Sequence, residues 1–203
     1  MQKHITALLL AAGSSCRMQE HKILLDVLGK PLIQHALQNI QEIEDIIVVL
    51  GHHFIDVFTT LQYLPEGYRV DVVQNVHYKQ GLSTSLITGL EAAGDTDAIC
   101  ICLGDMPNIP KQVVRQIKET FQTAKETSIL VPMNKGKRGH PVLIPKFYFE
   151  EIYQLRGDKG ANGILKKYQE NIIAIETEHQ GIFLDLDEKK DWNDYVNHHF
   201  NKR

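Results

Sequence analysis

Short apolar segments alternate with longer amphipathic segments along this chain. Five segments have the continuous or alternating apolar pattern of β-strands: residues 5–12, 45–50, 69–75, 98–103 and 129–133. Four segments have the helical spacing of apolar residues: residues 31–41, 53–64, 83–93 and 110–125. This alternation predicts an α/β fold with a mostly parallel sheet and helices on both of its faces. The pattern after residue 133 is less regular, and an antiparallel strand fits there.

Length, charge and cysteine content narrow the class of protein. A chain of 203 residues is long enough for a sizeable core, so we expect residues 1–203 to form a single domain. The net charge of −3 argues against a nucleic-acid partner. No apolar run approaches the ~20 residues of a membrane span, and the first residues lack the pattern of a signal peptide. Three cysteines make no disulfide framework, so we expect a cytoplasmic protein with Cys100 and Cys102 in its core.

The first apolar segment ends in a loop of small residues followed by two cations. Residues 10–18 are Leu-Ala-Ala-Gly-Ser-Ser-Cys-Arg-Met, and Lys22 follows. Small side chains let a ligand approach the backbone, whose N–H groups bind phosphate oxygens, and Arg17 and Lys22 would balance the negative charge. These residues indicate a polyphosphate site. The loop is neither a Walker loop nor a G-x-G-x-x-G loop, and small-residue loops also follow first strands in α/β proteins without such a site.

Two more unusual loops follow the third and fourth predicted strands, at residues 81–85 and 103–107. Ligands of open α/β sheets bind at the carboxyl ends of the strands, so we expect the three loops to converge on one site. Asp105 comes directly after an apolar run, and Pro107 keeps the preceding residue out of a helical turn. Its carboxylate is a hard ligand that suits Mg²⁺. A plain loop or helix-capping aspartate is the alternative.

Three other polar segments each allow two interpretations. In residues 81–85, Ser83 suits the N-cap of a helix, and the hydroxyl and N–H groups there would also suit a nucleotide. A basic turn holds Lys135, Lys137 and Arg138, which would either meet an anionic substrate or be solvated. Asp185 and Asp187, two apart in a predicted short strand, project to the same side. They would share a cation, or Asp187 would cap a helix over residues 188–200.

In order along the chain, these loops resemble the motifs of nucleotidyltransferases, and most narrowly those of the molybdenum-cofactor cytidylyltransferase group. The similarity covers five motifs: the first loop with Lys22, residues 81–85, Gly-Asp-Met-Pro at 104–107, Arg-Gly-His-Pro-Val at 138–142 and Gly-Asp-Lys-Gly-Ala at 157–161. The resemblance implies a three-layer, Rossmann-like nucleotidyltransferase fold. Two positions depart from the family pattern: Gln19 replaces a glycine, and residues 188–191 keep only the last acid of a Thr-Pro-Glu-Asp segment.

The resemblance also implies a role for each motif. Three residues would be catalytic: Arg17, Lys22 and Asp105. Nine would bind the nucleotide: Leu10, Ala11, Ala12, Gly13, Ser14, Ser15, Gly81, Ser83 and Ser85. Four would bind the second substrate: Gly139, His140, Pro141 and Asp158. Asp105 and Asp187 would hold Mg²⁺, with Asp185 as a weaker candidate.

The reaction that the resemblance implies is transfer of CMP from CTP to molybdopterin-bound molybdenum, with release of pyrophosphate. The finished cofactor would pass to a molybdenum hydroxylase. Ala12 favours CTP, because guanylyltransferase relatives resemble this loop with glycine there. Two other functions fit the residues: nucleotidyl transfer to a sugar or polyol phosphate, and escort of the finished cofactor by an inactive protein. The joint presence of Arg17, Lys22 and Asp105 argues against an inactive escort, which needs no cations at a leaving group.

Overall fold

Strands and helices alternate along most of the chain in a computed structural model of the protein, which describes residues 2–13, 22–27, 29–64 and 67–186. The strands are β1 (Ile5–Ala11), β2 (Asp26–Val27), β3 (Lys30–Pro31), β4 (Asp45–Leu50), β5 (Val70–Gln74), β6 (Ala98–Leu103), β7 (Ile129–Asn134), β8 (Lys137–Arg138), β9 (Val142–Pro145) and β10 (Ile172–Glu176). The α-helices are α1 (Leu32–Ile40), α2 (Phe54–Leu61), α3 (Leu82–Ala92), α4 (Lys111–Thr123), α5 (Phe149–Tyr153) and α6 (Asn162–Lys167).

The main sheet has eight strands in the order β10-β7-β9-β6-β1-β4-β5, with β8 paired to β7. The central strand β1 runs parallel to both neighbours, β4 and β6, and the pairs β4–β5 and β7–β10 are also parallel. Strand β9 is antiparallel to β6 and β7, and β8 is antiparallel to β7. The mostly parallel sheet and the antiparallel strand after residue 133 are therefore both confirmed.

The register of the three central strands brings their carboxyl ends to one level. Leu10 of β1 lies opposite Val49 of β4 on one side and Leu103 of β6 on the other. The loops that leave these strands therefore start side by side, as expected from the position of ligands in open α/β sheets.

Helices cover both faces of the sheet, which makes the three layers that the resemblance implies. All seven residues of β1 are buried, and its six apolar residues are divided between two apolar clusters on opposite faces of the sheet. The first cluster packs α1, α2 and α4 against the sheet through residues such as Leu37, Val57 and Ile117. The second packs α3, α5 and α6 through Leu86, Ile152 and Ile164. Cys100 and Cys102 are fully buried in the first cluster, as predicted for core residues.

Several predicted boundaries differ from the structure for local reasons. Helix α1 begins at Leu32 because Lys30 and Pro31 pair with Asp26 and Val27 in a short antiparallel ribbon. The prediction that Ser83 caps a helix is wrong. Gly81 precedes the first residue of α3, and Ser83 is the second residue of the helix, with a buried side chain. The N–H of Ser83 instead donates to the carbonyl of Gly157 at 3.0 Å.

The predicted short strand around Asp185 is also wrong within the described residues. Residues 184–186 form no strand, and Leu186 is a fully buried anchor beside Val27 and Leu32. Asp187 and the predicted helix over 188–200 lie outside the described residues. Single-domain organisation of residues 1–203 therefore stays a prediction. No helix in the described part of the chain combines the length and apolarity of a membrane span.

Helix α3 approaches the sheet closely at Gly89, and this contact yields a test of the packing. A Cβ added at Gly89 would lie 2.9 Å from Val49 Cγ2 and 3.1 Å from Leu8 Cδ1, whereas one added at Gly163 of α6 meets nothing within 4 Å. Gly163→Ala gains helix propensity, and we expect it to be neutral or stabilising by up to ~1 kcal/mol.

Gly89→Ala gains the same propensity but overpacks the core, at a cost of about 1–3 kcal/mol. We expect its free energy of unfolding, measured by urea denaturation, to fall below that of Gly163→Ala by at least ~1 kcal/mol. Equal stabilities of the two variants would contradict the close packing of α3.

Candidate active site

A buried ion pair lies at the carboxyl end of the central strands. The ammonium Nζ of Lys22 donates to Asp105 Oδ2 at 2.9 Å, and the two side chains are 7% and 30% exposed. Lys22 begins a short 3₁₀ turn, and Asp105 follows the end of β6. The structure thus brings together two of the predicted catalytic residues, which are 83 positions apart in the chain. The carboxylate holds the ammonium of Lys22 in place, while the Asp105 side chain itself remains partly exposed.

The first predicted loop begins directly beside this pair. The N–H of Gly104 donates to the carbonyl of Leu10 at 2.9 Å, and a Cβ at Gly104 would lie 3.1 Å from Ala11 Cβ. The carbonyl of Ala12 accepts from the N–H of His52 at 3.4 Å. Leu10, Ala11 and Ala12 are buried and Gly13 is exposed. Ser14, Ser15 and Arg17 lie outside the described residues, so their predicted roles rest on the sequence.

Two predicted motifs that are far apart in the chain pack against each other. Gly81 has φ +107°, and a Cβ there would overlap the backbone of Gly157 and lie 2.6 Å from the nitrogen of Asp158. The side chains of Ser83 and Ser85 are buried, so they face the protein interior more than solvent. The exposed Asp158, predicted to bind the second substrate, therefore lies beside the predicted nucleotide loop.

The segment Gly139-His140-Pro141 lies directly before β9, at the carboxyl end of the neighbouring strand β6. The N–H of Gly139 donates to Pro132 and that of His140 to Ile182, at 2.8 and 2.9 Å. A Cβ at Gly139 would lie 2.7 Å from the Ile182 carbonyl oxygen, so this position admits only glycine without a shift of backbone. Pro141 follows through a cis peptide bond and leads into β9.

Burial lowers the pKa of the His140 imidazole. A hydrogen bond with the backbone of Ile101 and the negative charges of Asp105 and Asp185 act in the opposite direction, because they favour the protonated ring. Among the described residues, Nδ1 of His140 is buried without a hydrogen-bond partner. His140 therefore lies close enough to Asp105 of the ion pair to feel its charge. From the sequence pattern alone, this segment would be interpreted as a structural loop without a role in a site.

The segment after Ile182 passes directly over Asp105. The N–H of Leu186 donates to the carbonyl of Asp105 at 3.2 Å, and the exposed Asp185 carboxylate acts on His140. Within residues 2–13, 22–27, 29–64 and 67–186, no group of three His, Cys, Asp or Glu side chains forms a metal cage. Mg²⁺ commonly takes only one or two protein carboxylates and completes its shell with phosphates and water. The half-open carboxylate of Asp105, with Asp185 nearby, fits that coordination.

Two of the three cations in the basic turn contact other parts of the protein. Lys137 Nζ lies 4.6 Å from the centre of the Phe183 ring, and Arg138 Nη1 donates to the Leu165 carbonyl at 3.5 Å. Lys135 is exposed at the tip, with φ +49°.

Sequence reasoning missed one polar residue at the carboxyl edge of the sheet, the buried Asn75 that follows β5. The only sequence signal for Asn75 is its place at the end of the third predicted strand.

Comparison with protein families agrees with this geometry. Residues 7–172 match the family of MobA-like NTP transferase domains. The chain belongs to that family. The protein is thus a nucleotidyltransferase, an enzyme that transfers a nucleoside monophosphate from a nucleoside triphosphate.

The chain is similar to relatives that carry different names. A molybdenum cofactor cytidylyltransferase from Escherichia coli is 25% identical, with 93% of each chain covered. A probable molybdenum cofactor guanylyltransferase from Pyrococcus horikoshii is 26% identical over 80% of this chain and 78% of that protein. The bifunctional protein GlmU of Syntrophomonas wolfei is 29% identical, but the match spans 64% of this chain and only 29% of GlmU.

A solved structure supports the fold. The Rv0371C complex with manganese from Mycobacterium tuberculosis superposes with a TM-score of 0.78 at 23% identity, over 96% of this chain and 99% of that one. The three-layer nucleotidyltransferase fold that the resemblance implies is therefore confirmed.

The ion pair of Lys22 and Asp105 makes a prediction about stability that needs no substrate. Asp105→Asn replaces the carboxylate that accepts from Lys22 with a neutral amide, so we expect the free energy of unfolding to fall by about 1–3 kcal/mol. The loss should be much smaller in a Lys22→Met background. Urea unfolding of the four metal-free proteins then gives a coupling energy of about 0.5–3 kcal/mol.

The control is the exposed pair of Arg115 and Glu42, which has the same 2.9 Å separation but side chains that are 55% and 25% exposed. Its cycle, with Arg115→Met and Glu42→Gln, should give less than about 1 kcal/mol. A coupling at Lys22 and Asp105 no larger than in this control would contradict the structural pairing.

Proposed function

We propose that the protein is a Mg²⁺-dependent cytidylyltransferase that transfers CMP from CTP to molybdopterin-bound molybdenum and releases pyrophosphate. The observation that carries the proposal is the ion pair of Lys22 and Asp105 beside the loop of small residues that begins at Ala12. A cation and a carboxylate at the carboxyl edge of a parallel sheet suit a nucleoside triphosphate and its metal. The similarity to the E. coli cytidylyltransferase over nearly the whole of both chains supports this base and this acceptor.

In this reaction a phosphate oxygen of the pterin attacks the α-phosphorus of CTP. The bond from that phosphorus to the bridging oxygen of the β-phosphate breaks, and pyrophosphate leaves with the bonding electrons. The protein acts by positioning and by charge stabilisation. Lys22, held by Asp105, would stabilise the charge that develops at the α-phosphate. Arg17 and the N–H groups of Ala12, Gly13, Ser14 and Ser15 would hold the β- and γ-phosphates.

The proposed metal site uses the carboxylates at the same edge. Asp105 would hold Mg²⁺ together with Asp187, and Asp185 is a further candidate because its charge acts on the same neighbourhood. When bound, the metal neutralises phosphate charge and polarises the α-phosphate. A similar fold has been solved as a manganese complex, which supports a divalent cation without deciding which one.

Elements of the C-terminal half would meet the acceptor. Gly139, His140 and Pro141 precede β9 at the same edge of the sheet, where the charge of Asp105 acts on His140. Asp158 lies against Gly81, so it would act where the nucleotide and the acceptor adjoin. We further propose that the enzyme acts in the cytoplasm and that a molybdenum hydroxylase receives its product.

A second candidate function is nucleotidyl transfer to a sugar or polyol phosphate, because the ion pair of Lys22 and Asp105 would suit the triphosphate in that reaction as well. One experiment separates the two. Purified protein is incubated with Mg²⁺, each of the four nucleoside triphosphates, and either molybdopterin-bound molybdenum or a sugar 1-phosphate, and pyrophosphate is measured. We expect release only with CTP and the pterin. Release with the sugar phosphate alone would establish the second candidate, and no release with any pair would refute both.

The preference for CTP is expected to depend on the methyl group of Ala12. This residue is buried directly after β1, and its methyl would narrow the space that a purine needs. A misfit purine costs about 1–3 kcal/mol in displaced backbone or unpaired polar edges. Ala12→Gly should therefore raise the use of GTP relative to CTP without inverting the preference, as measured by the ratio of kcat/KM values.

The control is Ala124→Gly, which makes the same change at the end of α4, remote from the three loops. It should leave the ratio of kcat/KM values unchanged. Equal use of CTP and GTP by the unaltered protein would refute the cytidylyl assignment and leave only a general nucleotidyltransferase.

A further inference from the structure

Asn75 is buried at the end of β5, and the protein uses every polar atom of its side chain. It is 1% exposed. Its Oδ1 accepts from the N–H of His77 at 2.8 Å, and its Nδ2 donates to Thr84 Oγ1 and Ser85 Oγ at 2.9 and 3.0 Å. The N–H of His77 can only donate, so it fixes which side of the amide is oxygen. With both of its donor hydrogens and its oxygen engaged, Asn75 holds the protein rather than a ligand.

These bonds continue into the predicted nucleotide loop. Thr84 Oγ1 accepts a hydrogen bond from Asn75. Its single hydrogen lies within donating distance of two carbonyl oxygens, that of Gly81 at 2.8 Å and that of His77 at 3.1 Å. Asn75 therefore sets the place of Gly81 through a single hydroxyl. Gly81 has no freedom to compensate, because its Cα faces the backbone of Gly157 on the other side.

The same residue connects this loop to the first one. The N–H of Asn75 donates to the carbonyl of Leu50, the last residue of β4, at 2.7 Å. The next residue, Gly51, is pressed between Tyr78 and Ala12: a Cβ there would lie 2.6 Å from Tyr78 Cβ and 2.7 Å from the Ala12 carbonyl oxygen. The backbone of Asn75 is thus tied to the strand end beside the first loop, while its side chain holds residues 77, 84 and 85.

We propose that Asn75 is a positioning residue that fixes the nucleotide loop through Thr84, and that base discrimination depends on it. This inference rests on the proposed function of the site as a nucleotide site. Loss of Asn75 removes no group that touches the substrate, so it should act on nucleotide binding and on the choice of base, and leave turnover at saturating nucleotide close to that of the wild type.

The test measures binding of α,β-methylene CTP and α,β-methylene GTP by calorimetry with Mg²⁺, together with kcat and KM in the transfer assay. Asn75→Ala and Thr84→Val should each weaken binding of the CTP analogue about tenfold and narrow its advantage over the GTP analogue. Because Asn75 acts through Thr84, the double variant should lose little more than the worse single variant. Thr84→Val is close to isosteric, and it keeps the test valid if Asn75→Ala does not fold.

Thr96→Val is the matched control. Thr96 is a buried threonine whose hydroxyl also lies near two carbonyls, those of His4 and Ala98, but at the opposite end of β6. It should lower the melting temperature and leave the affinities for both analogues unchanged. Weaker binding in this control, additive effects of Asn75→Ala and Thr84→Val, or wild-type binding in both variants would overturn the inference. If the wild type binds neither analogue, the proposed function itself fails.

Discussion

The buried central strand is the constraint on which the rest of the structure depends. Every residue of β1 is excluded from water, and parallel strands pair with it on both sides in a register that ends at the same level. A strand buried in this way must satisfy its N–H and C=O groups within the sheet, so it has no freedom to slide. The fixed register is what holds Gly104 against Leu10 and Ala11, so that Asp105, the next residue, follows at the end of β1.

Fixed strand ends allow the site to keep a charged pair where water is scarce. A buried ammonium is costly unless a carboxylate and further polar groups compensate it. The partial exposure of Asp105 reduces that cost and leaves one side of the carboxylate accessible. The arrangement thus combines a cation that is held in place with an anion that is available to a metal. Polyphosphate chemistry needs both, because the charge that develops in transfer is large and moves over a short distance.

The sequence predicts most of the sheet and the position of Asp105 because both depend on local patterns. Long apolar runs identify β1, β4, β6 and β7, and the loop that follows a run must lie at a strand end. The role of Ser83 could not be predicted, since it depends on Gly157, a residue far along the chain that takes the Ser83 N–H. The prediction of a strand at Asp185 is wrong because a leucine between two acids has the same alternation in a strand and in an irregular segment. In the structure the segment is irregular, and the leucine, Leu186, is buried beside Val27 and Leu32. Asn75 was missed because a single polar residue carries no periodicity.

The antiparallel direction of β9 has a consequence for how such enzymes diversify. The strand pairs with β6 but runs the other way, so the residues at the site precede it and belong to the connection from β8. The connection itself is packed at Gly139, but the hairpin tip before it, at Lys135 and Gly136, is exposed. Insertions in such a surface turn change the entropy of loop closure only slightly, so its length can vary over evolution without a shift in β6 or β1. Under the proposed function, related enzymes could thus change the acceptor that they modify while the residues that hold the triphosphate stay the same.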